Sequence, residues 1–401
     1  MKSLSKLIFT ALLTGLLTLS MRVEGANSDK TVEFSGFARL VGGYLNADEG
    51  AFNSYTDSFT LKEESLLGLR ADWTVSDAFH IVGQAVVRAN DEKGSDIQWL
   101  YADYRPSNNL SFKLGRQRIP IFQFSEVIDV GFAYPWITLP LEIYNPFIFS
   151  EYDGLLASYE FSQRKFSGSF DAYYGVYDDE IVFGRRKVDA KVDDLMGVVG
   201  QVYYKQFNFR ASHHRGRTKV FIDELAQFQN VLRALGFEDS AATLDVNNEV
   251  RYFQFSAGWE NLDYFVKVEL SRFDSAAYFA PTTNSFYVTA GYNFYPFTVH
   301  ATIAQSDTDY GDAPNEIPVG FDPQLDFLAQ QYALALQSNP LSDMQTFTLG
   351  LRYDIRSNLA LKADITLIQG QEQPDDDSIN TRPFTLEENA ELLQLAVEWV
   401  F

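Results

Sequence analysis

Arginines recur at one parity of three successive segments of alternating hydropathy: Arg39 in 32–45, Arg70 in 60–75 and Arg88 in 79–89. The opposite parity is small or apolar, with Phe34, Gly36, Ala38 and Leu40 beside Arg39, Leu67, Leu69, Ala71 and Trp73 beside Arg70, and Ile81, Gly83, Ala85 and Val87 beside Arg88. Side chains alternate along a strand, so these guanidiniums share one face of a sheet. A fourth arginine, Arg116, lies in 110–119. There Phe112 and Leu114 share its parity and Lys113 and Gln117 oppose it, so hydropathy alone leaves that segment unoriented. Next comes 120–152, which carries the acids Glu126, Asp129 and Glu142 and the aromatics Tyr134, Trp136 and Tyr144. Fixed cations facing fixed anions across water would make a transverse field, the chemistry of sorting ions and solutes.

Bond-making chemistry has fewer candidates. The chain has only 4 histidines, His80, His213, His214 and His300, and no cysteine. His213 and His214 are adjacent, so on a strand they point to opposite faces. No Gly-x-Ser-x-Gly and no His-Glu-x-x-His occurs, so the nucleophile-and-base or metal-ligand spacing that a barrel hydrolase requires is missing from the sequence. The sequence therefore predicts no enzyme, no metal and no cofactor. Without cysteine there is no disulfide or thiol chemistry.

The elements that must position these charges are strands. Alternating segments fall at 32–45, 60–75, 79–89, 97–105, 110–119, 153–162, 166–178, 194–204, 207–215, 249–260, 264–273, 284–295, 297–306, 343–354, 359–370 and 388–401, sixteen in all. A tilted strand of about 9–11 residues crosses a membrane. Short connections at 76–78, 106–109, 162–165, 205–206, 261–263, 295–296 and 356–358 alternate with long ones at 46–59, 90–96, 120–152, 179–193, 216–248, 274–283, 307–342 and 371–387. Short turns at one end and long loops at the other describe an all-β, up-and-down antiparallel transmembrane barrel of 16 strands. Two long loops carry apolar residues at helical spacing, Phe221, Leu225, Phe228, Leu232 and Leu235 in one and Leu325, Leu328, Tyr332 and Leu336 in the other. The second follows an Asp322-Pro323 start signal. They predict a small amphipathic cap on the extracellular rim. Asp375, Asp376 and Asp377 read as a solvated loop tip.

Both ends fit export to a membrane. Met1–Gly25 carries Lys2 and Lys6 and then an apolar run of 13 residues, Leu7–Leu19, too short for a span of about 20. It reads as a signal peptide cut before Ala26, leaving one barrel domain over 26–401. At the other end Leu393, Leu395, Val397, Trp399 and Phe401 fall on one face, and Gln394, Ala396 and Glu398 on the other. A final strand ending on Phe, with Trp399 two residues before it, resembles the signal read by the barrel assembly machinery of bacterial outer membranes. The formal net charge of −22 argues against nucleic acid, whose phosphates need surplus Lys and Arg. The 34 Phe, 22 Tyr and 5 Trp suit rings of aromatics at two membrane interfaces.

The loop 120–152 is too apolar to stand in solvent and, with Pro120, Pro135, Pro140 and Pro146, too proline-rich for a strand pair. It is expected to fold into the barrel and pack Phe132, Trp136 and Leu139 on the wall. Glu126, Asp129 and Glu142 would then face the arginines. In this layout the chain resembles the general trimeric porins of Gram-negative outer membranes. Leu66-Leu67-Gly68-Leu69-Arg70 followed by Gly83-Gln84 looks like the family's second hairpin. Phe112-Lys113-Leu114-Gly115-Arg116-Gln117 looks like its fifth strand, and Leu139-Pro140-Leu141-Glu142 like its acid-bearing constriction loop. The resemblance implies that Arg116 is luminal and that the chain is a homotrimer. Leu66 departs from the family, standing where many members carry a further arginine, and one residue is inserted between Pro140 and Glu142.

The expected function is passive diffusion of small hydrophilic solutes and ions through the cell outer membrane, in contact with lipid and lipopolysaccharide. A substrate-specific channel for a sugar or organic acid is the alternative, with Tyr134, Trp136 and Tyr144 as an aromatic slide. A structural or adhesive barrel, or a barrel enzyme, is the remote one. The acidic excess predicts a modest cation preference, which Glu142→Gln should move toward anions.

Overall fold

The computed structural model describes residues 22–24, 31–47, 50–90, 94–144, 150–183, 186–275, 277–278, 280–309, 313–337, 343–369 and 389–401. The expected signal peptide apart from Arg22–Glu24, Pro146 and the acidic triplet at 375–377 lie outside these residues. Strands β1 (Thr31–Asn46), β2 (Leu66–Ser76), β3 (Phe79–Arg88), β4 (Asp96–Ser107), β5 (Leu110–Arg118) and β6 (Glu151–Gln163) form the first part of the wall. It continues through β7 (Phe166–Phe183), β8 (Arg186–Tyr204), β9 (Phe207–Val220), β10 (Asn248–Glu260) and β11 (Tyr264–Ser275). It ends with β12 (Thr282–Phe294), β13 (Phe297–Asp309), β14 (Met344–Arg356), β15 (Leu359–Gln369) and β16 (Ala390–Val400). Each strand pairs antiparallel with the next, and β16 pairs back onto β1, closing a 16-strand antiparallel barrel. The three residues Arg22–Glu24 run antiparallel beside Thr31–Glu33.

Closure is set by alternation. On β15 and β16, Leu361, Ile365, Leu367, Leu393, Leu395 and Val397 are exposed on the outside, while Lys362, Asp364, Gln394 and Glu398 are buried inside. A slip of one residue would turn Lys362 toward hydrocarbon, at about 2–4 kcal/mol near the midplane. At the short-turn end a chain of rings runs round the outer face: Tyr264–Tyr292 at 4.8 Å, Tyr292–Phe294 at 5.6 Å, Phe294–Phe297 at 5.6 Å and Phe297–Tyr353 at 4.9 Å. Such a belt holds a barrel at the headgroup level. At the seam the Phe401 N–H donates to the Gly36 carbonyl at 2.9 Å, and the Gly36 N–H to the Phe401 carbonyl at 2.8 Å. The Phe401 ring lies where a Cβ on residue 36 would sit, so glycine is required there. The Trp399 ring packs on Phe401 at 4.4 Å.

One expected loop is not a loop. The segment 179–193 continues β7 to Phe183 and restarts β8 at Arg186, with Glu180–Lys187 at 3.3 Å and Asp178–Lys191 at 3.5 Å across the pair. The expected cap is present. Helices α2 (Asp223–Ala234), α3 (Glu238–Thr243) and α4 (Pro323–Gln337) share a cluster in which Leu232, Ala241, Leu244, Ile317 and Tyr332 are buried. The Gln324 N–H donates to Asp322 Oδ1 at 2.7 Å, the cap that the Asp-Pro signal predicts. Leu225 and Phe228 pack inward with Leu232, whereas Phe221 and Leu235 stay exposed.

The largest hydrophobic core lies inside the barrel. Ile119, Ile121, Phe122, Phe124, Tyr134, Trp136, Leu139, Ile143 and Tyr144 from the third loop meet Tyr152, Leu156, Tyr173, Leu195, Tyr252, Tyr287 and Ala304 from the wall.

Candidate pore constriction

The third loop leaves β5 at Arg118 and enters the lumen through two single turns, Ser125–Val127 and Gly131–Ala133. It then forms a short helix, α1 (Leu141–Tyr144). Its apolar side chains drive the entry, since burying one large side chain contributes about 1.5–3 kcal/mol. Phe132, Trp136 and Leu139 do pack on the wall: Trp136 and Leu139 are buried, and the Phe132 ring lies under the Arg352 guanidinium at 4.3 Å. Its irregular backbone needs hydrogen-bond partners, and the wall supplies them as side chains. Arg210 on β9 donates to the Ile121 carbonyl at 2.7 Å and also to that of Pro120. Glu269 on β11 accepts the Gln123 N–H at 2.9 Å and the Tyr144 hydroxyl at 2.7 Å. Asp364 on β15 accepts the Ile137 N–H at 2.7 Å.

The four arginines divide. Arg39, Arg70 and Arg88 all face inward, as alternation predicts. Arg39 is buried beneath the loop, donates to the Ile137 carbonyl and lies 3.7 Å from Glu398 and 3.9 Å from Glu64. Arg88 pairs with Asp129 at 2.8 Å. Arg70 is bound by Asp72 through two contacts of 2.7 Å and stacks over Trp99 at 5.1 Å. The cationic wall is therefore largely neutralised where it stands.

Arg116 corrects the expectation drawn from the porin resemblance. It sits opposite Leu100 and shares parity with Leu114, both outward and exposed, so it faces away from the lumen. Its neighbours are Asp153 at 3.2 Å, Asp96 at 3.7 Å and Asp179 at 4.0 Å. On β5 the inward residues are Lys113 and Gln117, opposite the buried Asp103 and Tyr152 respectively. The guanidinium that reaches the loop from this strand belongs to its last residue, Arg118, 2.7 Å from Asp129 and 3.4 Å from Glu151.

The three loop acids take three different positions. Asp129 is clamped between Arg88 and Arg118. Burial alone would raise its carboxyl, and the two guanidiniums overcome that and hold it well below the ordinary carboxylate range. Glu126 is exposed, and Arg70, Tyr101 and Asp171 lie within its electrostatic reach. Glu142 faces the wall and not the arginines, which corrects its expected position. It is buried, accepts the Thr346 hydroxyl through Oε1 and leaves Oε2 without a partner. Burial pushes its carboxyl up to about 7, against the opposing pull of that hydroxyl.

The aromatics are a second correction. Tyr134, Trp136 and Tyr144 are buried, so none offers a track along an open bore. Each is an anchor: Tyr134 donates to the Ile128 carbonyl at 2.8 Å, Trp136 to Thr302 at 2.7 Å and Tyr144 to Glu269. Leu66, the expected gap in the arginine set, packs instead with Phe37, Val86 and Val130.

The surface left to water is lined by Glu126, by the Arg70–Asp72 pair and by Lys113, whose ammonium lies 5.5 Å from the Tyr101 ring. Asp171, which accepts the Ser158 hydroxyl, completes it. Lys113 lies on the strand that hydropathy leaves unoriented, and its pairing with the buried Asp103 is what places it inside. Asp171 could be read as luminal from its apolar neighbours of opposite parity, Phe170 and Ala172.

No protein-family model and no curated protein sequence matches the chain. Solved structures do share its fold. The trimer form of OmpT, an outer membrane protein of Vibrio cholerae, superposes with a TM-score of 0.56 at 15% identity, covering 93% of this chain and 100% of that one. The anion-selective porin of Comamonas acidovorans gives 0.55 at 12% identity over 93% and 100% of the two chains. The outer membrane channel DcaP of Acinetobacter baumannii gives 0.57 at 13% identity over 94% and 99%.

Proposed function

We propose that the chain forms a water-filled channel across the outer membrane of a Gram-negative bacterium, through which small hydrophilic solutes and ions diffuse passively. One observation carries this reading. A loop is anchored inside a closed barrel and leaves an exposed carboxylate, Glu126, within electrostatic reach of Arg70 on β2. The folds of DcaP and the Comamonas porin, described as a channel and a porin, support it. The substrate-specific alternative loses its aromatic slide, because Tyr134, Trp136 and Tyr144 are buried.

Lys113 is the one wall cation here without an ion pair among the described residues, and it stands against two acids, Glu126 and Asp171. That excess supports a weak cation preference. A homotrimer is proposed from the trimer form of the Vibrio protein and from the small residues Ala38, Ala71, Gly83 and Ala85 on the outer face of β1–β3. In this reading residues 1–25 direct export, Trp399 and Phe401 present the strand that the assembly machinery recognises, and lipopolysaccharide surrounds the outer leaflet of the barrel.

Single-channel recording of the purified protein in a planar bilayer tests the reading. Discrete ohmic steps, insensitive to added sugars or organic acids, are expected, with reversal potentials displaced slightly toward the cation. Absence of steps from folded protein would sink the channel, and saturable block by one solute would favour the specific alternative.

A further inference from the structure

The tip of the loop is held by a side chain that belongs to neither the eyelet nor the loop. Lys362 lies on the inner face of β15, and its side chain has no exposure to solvent. Its ammonium donates to three loop carbonyls, Gly131 at 2.8 Å, Tyr134 at 2.7 Å and Trp136 at 2.7 Å, and lies 2.6 Å from Glu398 Oε2. Three N–H groups can converge on three carbonyls only from a compact ammonium, since the planar fork of arginine spreads its donors. The intervening carbonyl, Phe132, is taken by Arg352 on β14 at 2.7 Å. Gly131 is tied to the same point, because a Cβ there would run into the Glu398 carboxylate.

We propose that Lys362 is the positioning residue of the constriction. The turn 131–136 folds around its ammonium, and the width left for water depends on that turn staying against β15 and β16. Removing the charge leaves the Trp136 carbonyl without a donor among the described residues, the Gly131 carbonyl with only the Tyr134 N–H at 3.2 Å, the Tyr134 carbonyl with only a long contact of 3.4 Å to Arg352, and Glu398 with Arg39 alone, 3.7 Å away. The backbone must then find water, and it can do so only by lifting into the lumen. The effect on the bore rests on the channel reading, whereas the attachment of the loop does not.

The test exploits the absence of native cysteine. Ala133, exposed on the turn, is changed to Cys in otherwise wild-type protein and labelled with a bulky maleimide. Adding Lys362→Met should raise the labelling rate several-fold, and in bilayers the same variant should show larger, noisier steps than its parent. The double variant Lys362→Met, Glu398→Gln should label as fast as the single one, because neutralising Glu398 does not restore donors to the carbonyls. An unchanged labelling rate in barrels that keep their heat-modifiable gel mobility would overturn the proposal. A parental rate in the double variant would also overturn it, reducing Lys362 to a counter-ion of Glu398. If Lys362→Met does not fold, Gly131→Ala attacks the same contact from the loop side and should also label faster, an unchanged rate counting against the proposal. Labelling decides the role of Lys362 even if the parent shows no conductance, and that second result would fall on the channel reading alone.

Discussion

Two stretches of the inner wall carry similar residues and use them differently. Along β13–β16 and β1, the side chains of Lys362, Glu398 and Arg39 are 0%, 1% and 6% exposed and are consumed in holding the loop. Along β2–β7, those of Arg70 and Asp72 keep 33% and 37% exposure and meet water beside Lys113 and Asp171. Residue type does not separate the two sets. What does is whether the loop covers them, because a covered charge must be matched by donors and acceptors, whereas a wet one projects a field.

The comparison breaks hardest at Asp129, which joins the loop to the wall. Asp129→Ala removes the carboxylate that Arg88 pairs with and leaves Arg118 to Glu151 and Gln98, and should destabilise the folded loop by at most about 3–5 kcal/mol. Hydrogen exchange across 119–144 should report that loss, and undiminished protection would mean that the pairs are incidental. The sign works in one direction. The lowered Asp129 carboxyl adds stability above its ordinary value of 3.8, and that contribution disappears as the pH falls below it.

On the wet stretch, Glu126→Gln should move the permeability ratio several-fold toward anions and Lys113→Met several-fold toward cations, with little change in stability. Reversal potentials in a salt gradient measure both. Equal, null responses would place the narrowest passage elsewhere.

Glu142 sharpens the contrast, since it is an acid on the covered side. Its carboxyl is raised from 4.5 to about 7, so the fold favours the protonated form. Stability is full below 4.5 and falls as the pH rises through 7, by on the order of 3 kcal/mol at most. Glu142→Gln should abolish that pH dependence of loop protection and leave ion selectivity alone, contrary to the expectation from sequence. A selectivity shift would return Glu142 to the bore.

The smallest effect is expected at Arg116. On the outer face its pairs with half-exposed aspartates contribute about 0–1 kcal/mol, so Arg116→Ala should leave conductance and selectivity unchanged. A changed ion ratio would restore the luminal placement.

The barrel is legible because one parity of most strands is apolar. That is why parity alone turns Arg39, Arg70 and Arg88 inward. Where β7 and β8 run on through Asp178–Lys191 both faces carry charge, alternation disappears, and a continuous strand pair reads as a loop. The constriction was legible as a loop too apolar for water, but sequence does not say which way each side chain of an irregular segment turns. Glu142 is therefore expected at the bore, and Tyr134, Trp136 and Tyr144 line it in the substrate-specific alternative, whereas all four are buried. At Arg116 hydropathy leaves the strand unoriented, because Phe112 and Leu114 share its parity while Lys113 and Gln117 oppose it, and the family resemblance alone points inward, which the outward Leu100 and Leu114 beside it overturn. Lys362 could be read as luminal from its parity with Asp364, but nothing in its neighbours announces three converging carbonyls.

The third loop also has a mechanical consequence. It is fastened to Arg88 on one side of the cylinder, to Arg210 and Glu269 on another, and to Arg352 and Lys362 on a third. A tube braced across its middle resists being squeezed into an oval by the lateral pressure of surrounding lipid, as a spoked rim resists buckling. The segment that enters the lumen thus also ties three sectors of the wall to one another.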